Sequence, residues 1–369
     1  MQIADLDILQ SQAQYPSITI TLPTHRTFPE KEKDPVRVKN LIREAEDRLL
    51  QEYEARDIQD IMQRLWDLAD SIDHNHNLEG MMIVANRDVA KVYKVPTRLE
   101  EKVAVQDDFL VRDLLLAQSR IQSYWVLTLA ENPTRLFHAD NDQLQEVQDY
   151  GFPFVNEEPG TRMTLDTRYG TKPDSERDEH LRIFFRNIDA GLKQALDLED
   201  LPVVLLGVDK NLGFFKEVAQ NYDKVLTVIE GNHDLATADN TALKFAELVW
   251  PKVQEVMHEQ RHNDVAQAID AAVSSNTFFT DLNDIWVATL DGRGARLFVE
   301  EGYSFSAKVS EDGRSIAVVD EPEAYRNREI VHDAVNRIIE HVLQTSGEVV
   351  FVEPGRLGDN RKLFLTLRY

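Results

Sequence analysis

The sequence contains no cysteine. That absence excludes disulfides, cysteine-ligated zinc, iron–sulfur clusters and thiol nucleophiles together. No two glycines are adjacent, and no Gly-x-x-x-x-Gly-Lys-Ser/Thr, Gly-x-Gly-x-x-Gly or Gly-x-Ser-x-Gly string occurs. Phosphate-cradling, dinucleotide-binding and hydrolase-elbow loops therefore lack their signals. No run approaches the roughly 18 apolar residues of a membrane span. The N-terminal region shows no basic stretch leading into an apolar one, so a cytoplasmic protein with no membrane partner is expected. Positive charge is scarce: 41 Lys+Arg face 65 Asp+Glu, a formal charge of −24. Such a surface repels phosphate backbones on average and leaves nucleic-acid contact only to local basic patches.

What is present fits two or three domains in 369 residues, with 42% apolar and 29% charged side chains, as in soluble globular proteins. The pattern reads as α/β and α+β. Ser17 to Leu22 alternates as a half-buried strand, and Asp34-Pro35 supplies a helix cap and first-turn proline. Helical stripes follow at Leu41 to Leu49 and Ile58 to Ile72, then strands at Gly80 to Ala85 and Val89 to Val95, then a short helix over 108–119. Tyr124 to Leu129 reads as a buried strand returning at Thr134 to His138. From Asp149 to Pro173 no apolar period survives, a length that marks a functional loop. Ser175-Glu176-Arg177-Asp178 resembles a capping box, and Leu181, Phe184, Phe185, Ile188, Leu192 and Leu196 make one helical stripe. Val203 to Val208 and Val225 to Ile229 alternate with helices in βαβ order. Ile285 to Leu290 and Ala295 to Glu300 read as a hairpin about Asp291 to Gly294. A helix over Ile330 to Leu343, capped by Gly347, precedes strands at Val349 to Val352 and Leu363 to Leu367. Boundaries near 120 and 255 give three domains, 1–120, 121–255 and 256–369.

Chemistry-bearing strings are few. Gly231-Asn232-His233-Asp234 follows a strand, as in two-metal phosphoesterases, but the partner motifs of such a centre are absent in order. It reads as a polar loop before a helix cap. His74 and His76 fall in a helix–strand turn, where solvation is commoner than metal ligation. No cofactor or metal is expected, and the catalytic residues are unknown. Local charge says more. Residues 25–43 carry Arg26, Lys31, Lys33, Arg37, Lys39 and Arg43 against Glu30, Glu32 and Asp34, a local charge of +3. With His25, this basic loop is the candidate nucleic-acid contact. The central loop offers Arg162, Arg168, Tyr169, Gly170, Lys172 and Arg177. Arg182 and Arg186 share a helix face, while Arg177 points about 140° away from Arg182.

The order of these parts resembles a known family. The strand Ser17 to Leu22 followed by a basic, proline-containing loop and helix is similar to the first domain of archaeo-eukaryotic peptide-chain release factors. Two strands, a long loop, the Arg-rich helix around Arg177 to Arg186 and the strand Val203 to Gly207 resemble their RNase H-like central α/β domain. Leu365 to Tyr369 looks like the closing strand of their α/β/α third domain, shared with Pelota and kink-turn-binding proteins. Across most of the chain the resemblance is to the bacterial release-factor-like proteins, third subfamily. It implies ribosome or tRNA association in rescue or modulation of translation. It does not carry over the hydrolytic Gly-Gly-Gln: no glycine pair exists, and residues 149–193 contain no glutamine. Whether the chain is an enzyme stays open, as do two other readings. One is an interaction module that kept the fold and lost catalysis, with a basic protein as partner. The other is a hydrolase with a non-standard residue set. The oligomeric state is not legible.

Overall fold

The computed structural model describes residues 15–156, 173–232, 241–319, 330–358 and 361–369. It is mixed α/β with several sheets, in two compact units: Met1–Arg120 with Ala268–Tyr369, and Ile121–Gln267.

In the first unit, β1 (Ser17–Pro23), β2 (Gly80–Ala85), β3 (Ala90–Val95) and β4 (Lys102–Gln106) form an antiparallel sheet of order β3-β2-β1-β4. Alternation along β2 explains how it is buried on both faces. Met81, Ile83 and Ala85 pack with Ile18, Ile20 and Leu22 under α1 (Asp34–Leu49) and α2 (Ala55–Ser71). Met82 and Val84 pack on the other face with Phe109 and with Leu114 of α3 (Arg112–Ser119). The expected cap at Asp34 is displaced: a 3₁₀ turn, Glu30–Lys33, runs straight into α1, so Asp34 is already helical and its carboxylate is free for another task. The strand β4 was not legible beforehand.

The second unit is a five-stranded sheet. Its strands are β5 (Ser123–Leu129), β6 (Arg135–Asp140), β7 (Gln143–Val147), β8 (Val203–Gly207) and β9 (Val225–Glu230), in order β7-β6-β5-β8-β9 with β5, β8 and β9 parallel. The helices α4 (Pro173–Leu198) and α5 (Asp209–Val218) cover one face, and α6 (Thr241–Ser275) covers the other through Phe245, Val249 and Val253. The helix α4 begins at Pro173, so the expected capping box at Ser175 lies inside it.

The boundary at 267/268 falls within α6, and the first unit resumes beyond it. Here β10 (Phe278–Phe279), β11 (Gly294–Glu300), β15 (Glu348–Val352) and β16 (Leu363–Leu367) form a sheet of order β10-β16-β11-β15, with β11 and β15 parallel. A smaller sheet joins β12 (Ser306–Val309), β13 (Ile316–Val319) and β14 (Ile330–Val331). Two expectations fail. The first arm of the expected hairpin is the helix α7 (Leu282–Leu290). Asp281 caps it by accepting from the Asn283 and Asp284 N–H groups, and Gly292, at φ 68°, ends it with its N–H on the Thr289 carbonyl. The late helix α8 is Ala334–Gln344, because Asp333 caps it and leaves Ile330 and Val331 to the strand. The left-handed residue after it is Ser346, not Gly347.

Within the first unit, the segment leading into α3 meets α8. Arg112 reaches the buried Asp333 at 2.8 Å and the Tyr303 carbonyl at 3.1 Å, and its backbone N–H donates to Asn336 Oδ1. Glu340, buried one turn on, accepts from Asn336 Nδ2 at 2.9 Å. Burial, then the Asp108 charge, raises the Glu340 carboxyl well above the ordinary range, while Arg337 opposes them. Keeping its proton costs nothing in acid and progressively more as the pH climbs above the ordinary carboxyl range toward the raised value. Glu340→Gln keeps an acceptor for Asn336 and removes the titrating carboxyl. It is expected to raise Tm by a few degrees at mildly alkaline pH and hardly at all in acid. Equal shifts at both pH values would rule out a raised Glu340 carboxyl.

Candidate nucleic-acid interface

The basic loop leaves β1 at Pro23 and is fixed at both ends. Thr24 is buried; its N–H donates to the Glu79 carbonyl at 3.0 Å and its hydroxyl to the Leu78 carbonyl at 2.8 Å. At the far end the carboxylate of Asp34, fully buried, gathers three donors. The His25 N–H lies at 2.9 Å, His25 Nδ1 at 3.0 Å and Asn77 Nδ2 at 2.9 Å. Arg37 adds its charge at 3.7 Å. A buried carboxylate with this many donors is satisfied, so it can hold the loop rather than strain it.

The expected contact residues are not equivalent. Arg26 pairs with Glu79 at 3.2 Å and Lys39 with Asp70 at 3.2 Å, and His25 and Arg37 face Asp34. Lys31 and Lys33 pair with no carboxylate among the described residues. The residue pattern also gives no sign of Phe28. The residue is 69% exposed, in the middle of the basic loop. Only exposure identifies it, and apolar pattern alone assigns an isolated phenylalanine to a core.

Beside the loop, His74–His76 is a 3₁₀ turn. His76 Nδ1 lies 2.6 Å from Asp73, and this hydrogen bond, with one from the Asn75 N–H, holds the Asp73 carboxyl down at about 2. Burial lowers the His74 imidazole. The pair serves the turn and Asp73.

In the second unit, the candidates Arg162, Arg168, Tyr169, Gly170 and Lys172 lie outside the described residues, as do His233 and Asp234. Arg177 is exposed on α4. Arg182 donates through Nε to Glu217 at 3.1 Å, and its guanidinium lies 5.2 Å from the centre of the Phe214 ring. Arg186 pairs with Glu179 at 3.4 Å. This face of α4 is ion-paired. No helix among the described residues is long and apolar enough to cross a membrane.

Among solved structures, the chain is similar to archaeal translation termination factor aRF1, at 12% identity over 99% of this chain and 96% of that one, with a TM-score of 0.24. It is similar to Pelota of Archaeoglobus fulgidus at 13% identity, over 78% and 79% of the two chains, with a TM-score of 0.36. For Dom34 of S. cerevisiae the figures are 9%, 79%, 74% and 0.38. No curated protein matches significantly. The model of bacterial archaeo-eukaryotic release factor family 3 matches residues 123–293. Through that segment, from the first strand of the five-stranded sheet to just past α7, the chain bears out its resemblance to bacterial archaeo-eukaryotic release factor family 3.

Proposed function

We propose that the protein is a release-factor-like factor that associates with the ribosome or tRNA and acts in rescue or modulation of translation in the cytoplasm. In this reading 1–120, 121–255 and 256–369 are its three domains. The observation that carries the proposal is the family match over residues 123–293. The missing glycine pair argues for a role other than peptidyl-tRNA hydrolysis by a Gly-Gly-Gln tip. The anchored loop supports a contact surface made by His25, Arg26, Lys31, Lys33, Arg37 and Lys39. Within it, Lys31 and Lys33 are the cations best able to meet phosphate, since the others already face carboxylates.

Co-sedimentation with 70S ribosomes tests the proposal. Binding is expected at low salt and is expected to fall as salt rises. Lys31→Glu with Lys33→Glu is expected to weaken it and to flatten the logarithmic salt slope by about two, with an unchanged melting temperature. Folded wild-type protein that stays in the supernatant at low salt would overturn the proposal.

A further inference from the structure

We infer that the loop after β1 is a preformed platform for one unpaired nucleobase, stacked on Phe28, with the flanking phosphates on Lys31 and Lys33. The inference rests on the RNA-contact reading above and adds to it the class of ligand, single-stranded RNA.

Three observations meet here. The first is the ring itself. A phenylalanine left 69% exposed gives up most of the burial that would otherwise justify an aromatic side chain. The second is rigidity. Thr24 is tied to residues 78 and 79, His25 to Asp34, and the N–H groups of Lys31 and Glu32 close turns onto the Thr27 and Pro29 carbonyls. The ring is therefore presented on a backbone fixed before any ligand arrives, so little ordering entropy is left to lose on binding. The third is charge. The ring sits in a stretch of local charge +3 on a chain of −24, and Lys31 and Lys33, three and five residues on, pair with no carboxylate among the described residues. A polyanion is drawn to this patch and repelled from most of the remaining surface.

Stacking decides the form of the nucleic acid. A duplex hides its base faces within the helix, whereas an unpaired strand offers them, and every base has a face to offer. The platform is thus expected to be tolerant of sequence and selective for unpaired strands.

Fluorescence anisotropy with a labelled oligouridylate, and with a perfectly paired RNA duplex of equal charge, tests this on the full chain. Phe28→Ala is expected to weaken the oligouridylate about tenfold. Phe28→Trp is expected to restore it, and neither variant should alter the weaker binding of the duplex. Because the side chain is exposed, Phe28→Ala should melt at the wild-type temperature. Unchanged oligouridylate affinity in Phe28→Ala overturns the inference. If ribosome co-sedimentation persists in that case, the functional proposal stands without it. Wild-type protein that binds ribosomes but not the oligouridylate also overturns it, and would leave the ring to a protein partner.

Discussion

Arg112→Ala is expected to destabilise the first unit by about 3–5 kcal/mol, the cost of stripping one partner from a buried ion pair. The arginine is 13% exposed and the Asp333 carboxylate 1%, so solvent does little to screen them. Asp333 also caps α8 by accepting the Asn336 N–H at 3.0 Å. Burial pushes its carboxyl up and Arg112 pulls it back down. Without the guanidinium, Asp333 must take a proton or carry a bare charge in the interior. The sign follows: the raised carboxyl moves higher still, and the loss should grow as the pH climbs above the ordinary carboxyl range. The Tyr303 carbonyl loses a donor as well. Denaturant unfolding at acid and neutral pH checks both parts. A loss below about 1 kcal/mol, or one independent of pH, would mean that Asp333 is served by other groups.

Phe185→Ala should cost the second unit about 3–5 kcal/mol, because the ring is fully buried and its removal leaves a cavity. Phe184 lies 5.4 Å away and Phe215 meets it edge-on at 6.3 Å, both centroid to centroid. These neighbours belong to different helices packed on the same sheet face, so the hole cannot close by a rotamer change in one of them. Phe185→Leu refills part of the volume and is expected to recover about half of the loss. Equal losses for the two variants would indicate collapse around the site rather than a cavity.

The central helix was the most legible part of the chain. Leu181, Phe184, Phe185, Ile188, Leu192 and Leu196 repeat at helical spacing, and all six are buried. Strand alternation from Ser17 to Leu22 was equally plain, since one register puts Ile18, Ile20 and Leu22 on the α1 face, but the strand is not half-buried as expected: Ser17, Thr19 and Thr21 are covered as well. The failures have physical causes. Ile285 to Leu290 is a short apolar run whose period does not separate helix from strand, and the deciding signal is the cap at Asp281, outside the run. The meeting of Arg112 with Asn336 joins residues 224 positions apart, and no local pattern encodes such a partner. In the basic loop the charges could be read from sequence. Which of them meet a carboxylate could not, because that depends on Glu79 and Asp70 arriving from other elements.

The first unit is made of two stretches of chain, with the whole of the second unit inserted between them. On an elongating nascent chain this dictates an order of events. The inserted stretch is continuous and can complete its sheet as soon as it has emerged. Phe109 and Arg112, by contrast, must wait for α8, with Asn336 lying 224 positions after Arg112, before Asn336 and Asp333 can receive them. Until then the flank of the earlier half that Leu115 and Leu116 will bury stays uncovered, an apolar surface exposed for as long as the intervening residues take to be made.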